Sequence, residues 1–330
     1  MTACAFACVA ALCSCRDSGP VEKAPVRKEP GLIAFIGAGR DDPLWPLLRA
    51  GAQRFEREYG RIEVRYDAPA IVSAEQQARL IQSLIHSSLR GLCVQVVAGA
   101  PLEPVFARVV QSGGQIITMC RRTDLPNVAG HVGYDDEAAG RALAEETVRY
   151  LNGQGTIMLL HEGQRDPAMR VRFRAFEEAI RRHPRVERLA DTDCGGDPLL
   201  ARRQIADFFA RYPRLSAWVS LAPWPLLEGA TERAGASALP AGCRLIPCGA
   251  EPATWPYIES GACPVAVGFA YHDAGFTALQ FCQAAARSPG SGAREYTIPI
   301  RVVTPASLEE YRRDWAVWAA APTSAPTAAP

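Results

Sequence analysis

The chain has almost no surplus of charge. Its 330 residues carry 36 basic against 35 acidic side chains, a formal net charge of +1. No basic patch is interleaved with aromatics, so no nucleic-acid partner is expected. Long apolar runs are also missing: no window reaches the roughly 18 uninterrupted apolar residues of a membrane-spanning helix. Catalytic motifs are absent as well. His86, His131, His161, His183 and His272 are dispersed, and no nucleophile elbow, Walker loop or paired metal-binding histidine occurs. No cofactor, no metal and no enzymatic activity are expected. One phrase imitates a dinucleotide fingerprint, Gly37-Ala38-Gly39 with Asp67 closing the next strand. Its third glycine position is Asp42, whose carboxylate would repel a pyrophosphate.

What is present is a large apolar fraction, 48%. Single cores stop growing at roughly 250–300 residues, so two lobes are expected. The termini differ from the body. Thr2 to Cys13 is small and apolar, with cysteines at 4, 8, 13 and 15, and a polar, proline-bearing stretch runs on to Pro30. This reads as a leader over 1–15 and a tether over 16–30. Leu12-Cys13-Ser14-Cys15 resembles the bacterial lipobox, which makes Cys15 the expected lipid attachment site. Plain secretion and an unusual cytosolic amino terminus are the alternatives. The stretch 316–330, rich in Ala, Pro, Thr and Ser, reads as a disordered tail. Seven cysteines remain: Cys93, Cys120, Cys194, Cys243, Cys248, Cys263 and Cys282. An odd, scattered set inside apolar runs is read as small buried hydrophobes, not as a disulfide framework, though Cys243 and Cys248 are spaced to pair.

Between the ends, short Ile/Val-rich runs alternate with segments of helical spacing. Strands are expected at 32–37, 62–66, 92–97, 115–119, 156–160, 217–221, 244–248 and 265–269. Helices are expected over 47–59, 74–86, 103–111, 137–151, 168–182, 198–212, 225–234 and 274–287. So regular an alternation implies right-handed βαβ units and parallel sheets, an α/β fold.

Several phrases sharpen this. The turn Asp41-Asp42-Pro43-Leu44-Trp45 follows the first strand; Gly91-Leu92-Cys93-Val94 precedes the Pro101 turn; and Gln115-Ile116-Ile117-Thr118 precedes Cys120-Arg121. Val132-Gly133-Tyr134-Asp135-Asp136 leads into a helix, and Arg170-Val171-Arg172-Phe173 opens another. In that joint order the chain resembles the ribose-binding family of type I periplasmic solute-binding proteins. The resemblance implies two Rossmann-like lobes joined by three crossovers and closing on a small ligand. It places the amino-terminal lobe at 31–134 plus 270–298 and the carboxyl-terminal lobe at 135–269 plus 299–315. The rotation is expected near Tyr134-Asp135 and Phe269-Ala270.

The same resemblance implies ligand positions at Asp42, Leu44, Trp45, Cys120, Arg121, Arg172, Ala222, Gly249 and Phe269. Trp45 would offer an indole face, and both arginines could fork onto oxygen acceptors. Capping by Asp41-Asp42 and ordinary packing of Trp45 are the competing structural roles. Ala222, Gly249 and Phe269 stand where the family has hydrogen-bonding groups, and each unpaired sugar hydroxyl costs about 1–3 kcal/mol. Ribose itself is therefore disfavoured. The implied activity is capture of a small, carbohydrate-like ligand at the cell envelope, periplasmic or extracellular, for a membrane ABC permease. The protein would act as a monomer and touch the membrane only through its lipid anchor. A ligand with an anionic or acceptor-rich end facing Arg121 and Arg172 is expected. A sensory module for a kinase or receptor, or a cleft that has lost small-ligand binding, are the alternatives.

Overall fold

The computed structural model describes residues 29–86, 88–97, 101–163, 167–227 and 239–319. The leader and Cys15 lie outside these residues. The first sheet is entirely parallel and has six strands in the order β11-β5-β4-β3-β1-β2. They are β1 (Glu29–Ile36), β2 (Ile62–Asp67), β3 (Leu89–Gln95), β4 (Gln115–Cys120), β5 (Val128–Tyr134) and β11 (Arg294–Ile298). Its central strands are apolar at successive positions because helices cover both faces. Period-two alternation divides them: Ile33, Phe35, Cys93 and Ile117 join one core, while Ala34, Ile36, Leu92, Val94 and Ile116 join another. The first core is closed by α1 (Trp45–Tyr59) and α8 (Tyr271–Arg287), the second by α2 (Ala74–Leu84) and α3 (Glu103–Gln111).

The α1 and α8 backbones touch. A Cβ on Gly275 would lie 1.8 Å from the Leu48 carbonyl oxygen, and one on Gly51 would lie 2.4 Å from that of His272. Only glycine permits this approach.

The second sheet runs β7-β6-β8-β9 in parallel, from β6 (Gly155–His161), β7 (Val186–Asp193), β8 (Ala217–Ser220) and β9 (Leu245–Pro247). It is extended by β10 (Ala266–Phe269) through the parallel bridge Cys248–Val267, and β12 (Ile300–Val303) pairs antiparallel with β10. Flanking it are α4 (Asp136–Tyr150), α5 (Pro167–Ile180), α6 (Pro198–Arg211), α7 (Trp255–Glu259) and α9 (Leu308–Ala319). Asp135 caps α4, its Oδ1 accepting from the Ala138 amide at 2.8 Å.

The chain passes between the sheets after Tyr134, after Phe269 and between Ile298 and Ile300. The Ala270 amide donates to the Pro299 carbonyl at 2.9 Å, tying two passes together.

Several expectations are corrected. β5, β7, β11 and β12 were not among the expected strands. β7 alternates buried and exposed along Val186 to Asp193, and β11 likewise, so neither has the apolar run of a doubly covered strand. β1 begins at Glu29, which pairs with Ile62, inside the expected tether. The tail's first residues are helical, because α9 continues to Ala319; residues 320–330 lie outside the described set. Instead of a helix from Pro225, a single 3₁₀ turn spans Trp224–Leu226, and the remainder of that segment from 228 onward also lies outside it.

Candidate functional site

The carboxyl ends of β1, β3, β4 and β5 carry Asp42, Gln95, Cys120 and Tyr134, and those of β9 and β10 carry Gly249, Glu251 and Phe269. Ends of parallel strands are where open α/β sheets hold ligands.

Asp42 is fixed by neutral donors. Its Oδ1 accepts from the Leu44 amide at 2.7 Å, and its Oδ2 accepts from Gln95 Nε2 at 2.9 Å. Gln95 Oε1 in turn accepts from the Ala38 amide at 3.1 Å. Fully buried Gln77 donates to the carbonyls of Gly37 (2.8 Å) and Gln95 (2.7 Å). Burial raises the Asp42 carboxyl above its usual range, while the Leu44 and Gln95 donors pull it back. The cap of α1 falls on Leu44 without a side-chain bond, so Asp42 closes the turn ahead of the helix. Asp41 Oδ1 accepts from the Val72 amide at 3.1 Å.

Cys120 is buried and has φ 64°, a left-handed conformation uncommon for a residue with a Cβ. Burial pushes its thiol up to about 12, and the nearby Tyr134 hydroxyl pulls it partly back. The Tyr134 ring lies 4.6 Å from Phe269 and 6.1 Å from Tyr271, centroid to centroid. Tyr271 also meets Trp315 of α9 at 5.8 Å. These rings form an aromatic wall across the crossing points.

Glu251 completes the wall. Its Oε1 accepts from the Tyr271 hydroxyl at 2.8 Å; its Oε2 has no exposed surface and no hydrogen-bond partner. Burial raises its carboxyl, and the nearby Asp42 charge raises it further. Gly249 is buried with φ 134°. A Cβ there would lie 2.7 Å from Glu251 Oε2 and equally close to the Pro223 ring. Its left-handed φ and the Pro223 ring together favour glycine at 249.

Arg172 is buried within the second lobe. Its Nε and one terminal nitrogen donate to Asp136 Oδ1 at 3.1 and 2.6 Å, and the other terminal nitrogen donates to the Leu221 carbonyl at 2.7 Å. Beside it, the Ala222 carbonyl accepts from Ser220 Oγ at 2.5 Å. A cavity of about 350 Å³ opens next to this pair, lined by Arg122, Asp124, Tyr134, Asp136 and Val171 among others.

The structure therefore gathers Asp42, Cys120, Arg172, Gly249 and Phe269 around Tyr134 and Glu251, with electrostatic coupling from Asp42 to Glu251 and from Glu251 to Arg172. Two expected positions have partners within the chain. Trp45 is only 7% exposed and stacks on Phe35 at 6.2 Å, with its ring against Gly37. Its indole packs against the lobe, the competing structural role. The Arg172 guanidinium is paired with Asp136. Arg121 follows Cys120 at an exposed position and Leu44 is half-buried against the core.

Glu251, Gln95, Tyr134 and Asp136, which the structure brings to these strand ends, are not among the expected ligand positions. Gln95 had a visible signal, an amide inside the apolar strand run Leu92 to Val97. Glu251 had a weaker one, an acid three residues past the expected strand end at 248.

A family model described as "Periplasmic binding protein domain" matches residues 33–290. No curated protein matches the chain in sequence. Among solved structures, AraP, an arabinose-binding protein from Geobacillus stearothermophilus, is similar at TM-score 0.73 and 17% identity, covering 86% of this chain and 99% of its own. A solute-binding protein from Bacillus halodurans C-125 with bound myo-inositol gives 0.70 and 20%, with coverages of 86% and 98%. One from Actinobacillus succinogenes 130z with bound D-allose gives 0.71 and 16%, with coverages of 85% and 100%.

Proposed function

We propose, from the premise that this chain belongs to the periplasmic binding protein domain family, that it captures a small carbohydrate-like ligand outside the cytoplasm and presents it to an ABC importer. The observation that carries this reading is the site itself: Tyr134, at the end of a strand of the first sheet, packs on Phe269 at the end of a strand of the second, and Glu251 beyond the second sheet accepts from Tyr271 of α8. A ligand touching both lobes would favour the closed arrangement, because its differential contact drives the closure. The lobes are 31–134 plus 270–298 and 135–269 plus 299–315, and rotation is absorbed where the chain passes between them. Tyr134, Phe269 and Tyr271 provide apolar faces for a ring, and Asp42 an acceptor already held in place. Lipidation at Cys15 would keep the protein at the membrane. The residues present are binding groups, and no reaction is assigned to them.

Relatives of this fold bind arabinose, myo-inositol and allose, which sets the screening panel. Those ligands, with galactose, tagatose and ribose, are added to the purified protein while thermal unfolding is followed by tryptophan emission. A ligand held by the native state at about 100 times its Kd adds about 2.7 kcal/mol, so a clear rise in midpoint is expected for a panel member other than ribose. A flat response to every compound would favour the alternative of a cleft that has lost small-ligand binding. That alternative has one observation behind it: Asp42 and Arg172 are both already bonded within the chain.

A further inference from the structure

We infer that α9 is a strap across the hinge: it is carried by the second lobe, clasps the first through α1 and α8, and limits how far the two can rotate. The strap concerns the resting protein, so it does not depend on which ligand is captured.

Its fastening to the second lobe is polar and directional. After the third pass the chain adds β12 to β10, turns where the Thr304 amide donates to Ser307 Oγ at 3.0 Å, and enters α9 at Leu308. The Tyr311 hydroxyl donates to the Phe269 carbonyl at 3.3 Å. Arg301 of β12 donates to Asp314 at 3.1 Å, and Arg312 donates to Glu259 of α7 at 3.0 Å. Trp315 meets Trp255 of α7 edge-on at 5.6 Å.

Its contact with the first lobe is made by packing. α9 lies along α1. Leu47 of α1 and His272 of α8 close with Tyr311, Asp314 and Trp315 around a gap of only about 10 Å³, no more than one water fills. Trp315 also meets Tyr271, the first residue of α8, at 5.8 Å. The far side of Tyr271 faces the crossing: its ring lies 6.1 Å from that of Tyr134, and its hydroxyl donates to Glu251 at 2.8 Å. Through Tyr271 the strap reaches the cleft wall.

The consequence follows from this unequal fastening. Three hydrogen bonds of fixed geometry make α9 travel with the second lobe, whereas packed rings against α1 and α8 can slide or part. The other ties are the passes after Tyr134, after Phe269 and at Pro299, single lengths of chain that absorb rotation in their backbone angles. A helix packed across them resists that rotation. A contact complete in one arrangement and lost in another weights the population toward the first. Rotation of the lobes is therefore opposed by the α9 contact with α1 and Tyr271.

The test compares the full chain with two variants by small-angle X-ray scattering. Trp315→Ala removes the ring that reaches Tyr271, and is expected to lengthen the maximum dimension and give a curve that no single arrangement fits. Arg312→Ala removes a tie within the second lobe alone, and should leave the curve of the parent unchanged. Circular dichroism establishes that each variant is folded. A folded Trp315→Ala with the parent's curve, or an equal change in both variants, would overturn the inference. Hydrogen exchange on the unaltered protein decides the question if Trp315→Ala fails to fold. A strap requires the amides of α9 to be protected to within about tenfold of those of α1, as parts of one cooperative unit. Free exchange in α9 beside a protected α1 would overturn it equally.

Discussion

Replacing Arg172 should act on stability more than on ligand affinity, and the size of the effect follows from what the guanidinium holds. Its side chain is 8% exposed and that of Asp136 13%. It donates twice to Asp136 and once to the Leu221 carbonyl. Arg172→Met keeps most of the apolar stem while removing the Arg172 donors from a largely buried carboxylate and from a buried carbonyl. Breaking one side of a buried pair costs about 3–5 kcal/mol. Asp136 stands in the first turn of α4, where unpaired amides and the helix dipole return about 0.3–1 kcal/mol to a carboxylate. A net loss of about 2–4 kcal/mol is expected, a large part of the 5–15 kcal/mol typical of a domain. Urea unfolding should show it as a lower midpoint at unchanged slope. Arg172→Met with Asp136→Asn should lose about 1–3 kcal/mol less than the sum of the single changes, because the stranded charge is gone. A single-variant loss below about 1 kcal/mol, or a strictly additive double variant, would refute the reading of Arg172 as a structural keystone.

Gly275→Ala should destabilise by about 3 kcal/mol or more in the same assay, since its Cβ would sit 1.8 Å from a backbone oxygen of α1 and no rotamer can relieve that; an unchanged midpoint would show that the helices are not in backbone contact. His131 is buried beside Thr118, its Nδ1 2.8 Å from Oγ1, and burial, aided by Arg122, lowers its pKa from 6.5 to about 4. The unfolded chain therefore takes up a proton below pH 6.5 that the folded one refuses until about 4, so stability is full above 6.5 and declines as pH falls through that window. His131→Gln should flatten the decline, and an imidazole NMR titration with a midpoint near 6.5 would contradict it.

How much could be seen in advance depended on whether burial was two-sided. β1, β3, β4, β6 and β8 have helices or strands over both faces, so their residues are apolar in succession and stand out. β7 and β11 are sheet edges with alternating exposure, and Glu187, Arg188, Asp191 or Arg294, Glu295 make them look like loop. β5 is central but reads Val-Ala-Gly-His-Val-Gly-Tyr, with too few apolar side chains to register. The same distinction governs the site. Cys120 and Phe269 end strands and Asp42 sits in the short turn between β1 and α1, so a register along the chain finds them. Glu251 lies on a loop, and a register that stops at Gly249 cannot see a carboxylate that folds back over it. The orientation of Trp45 was equally invisible, since an indole at a strand–helix turn is the same letter whether it faces Phe35 or a cleft.

The two walls of the cleft are prepared differently, and this bears on how it would close. Asp42 has both oxygens held by Leu44 and Gln95 before any ligand arrives, so binding there requires little reordering. Glu251 has one oxygen anchored by Tyr271, which stacks near Tyr134 of the other sheet, and one left bare. Oε2 has no exposed surface and no partner in this arrangement. A ligand that bonds to it satisfies a group that the site itself leaves unsatisfied. Such a contact favours the arrangement in which it is made, and that differential contact is the free energy by which a ligand could select the closed state.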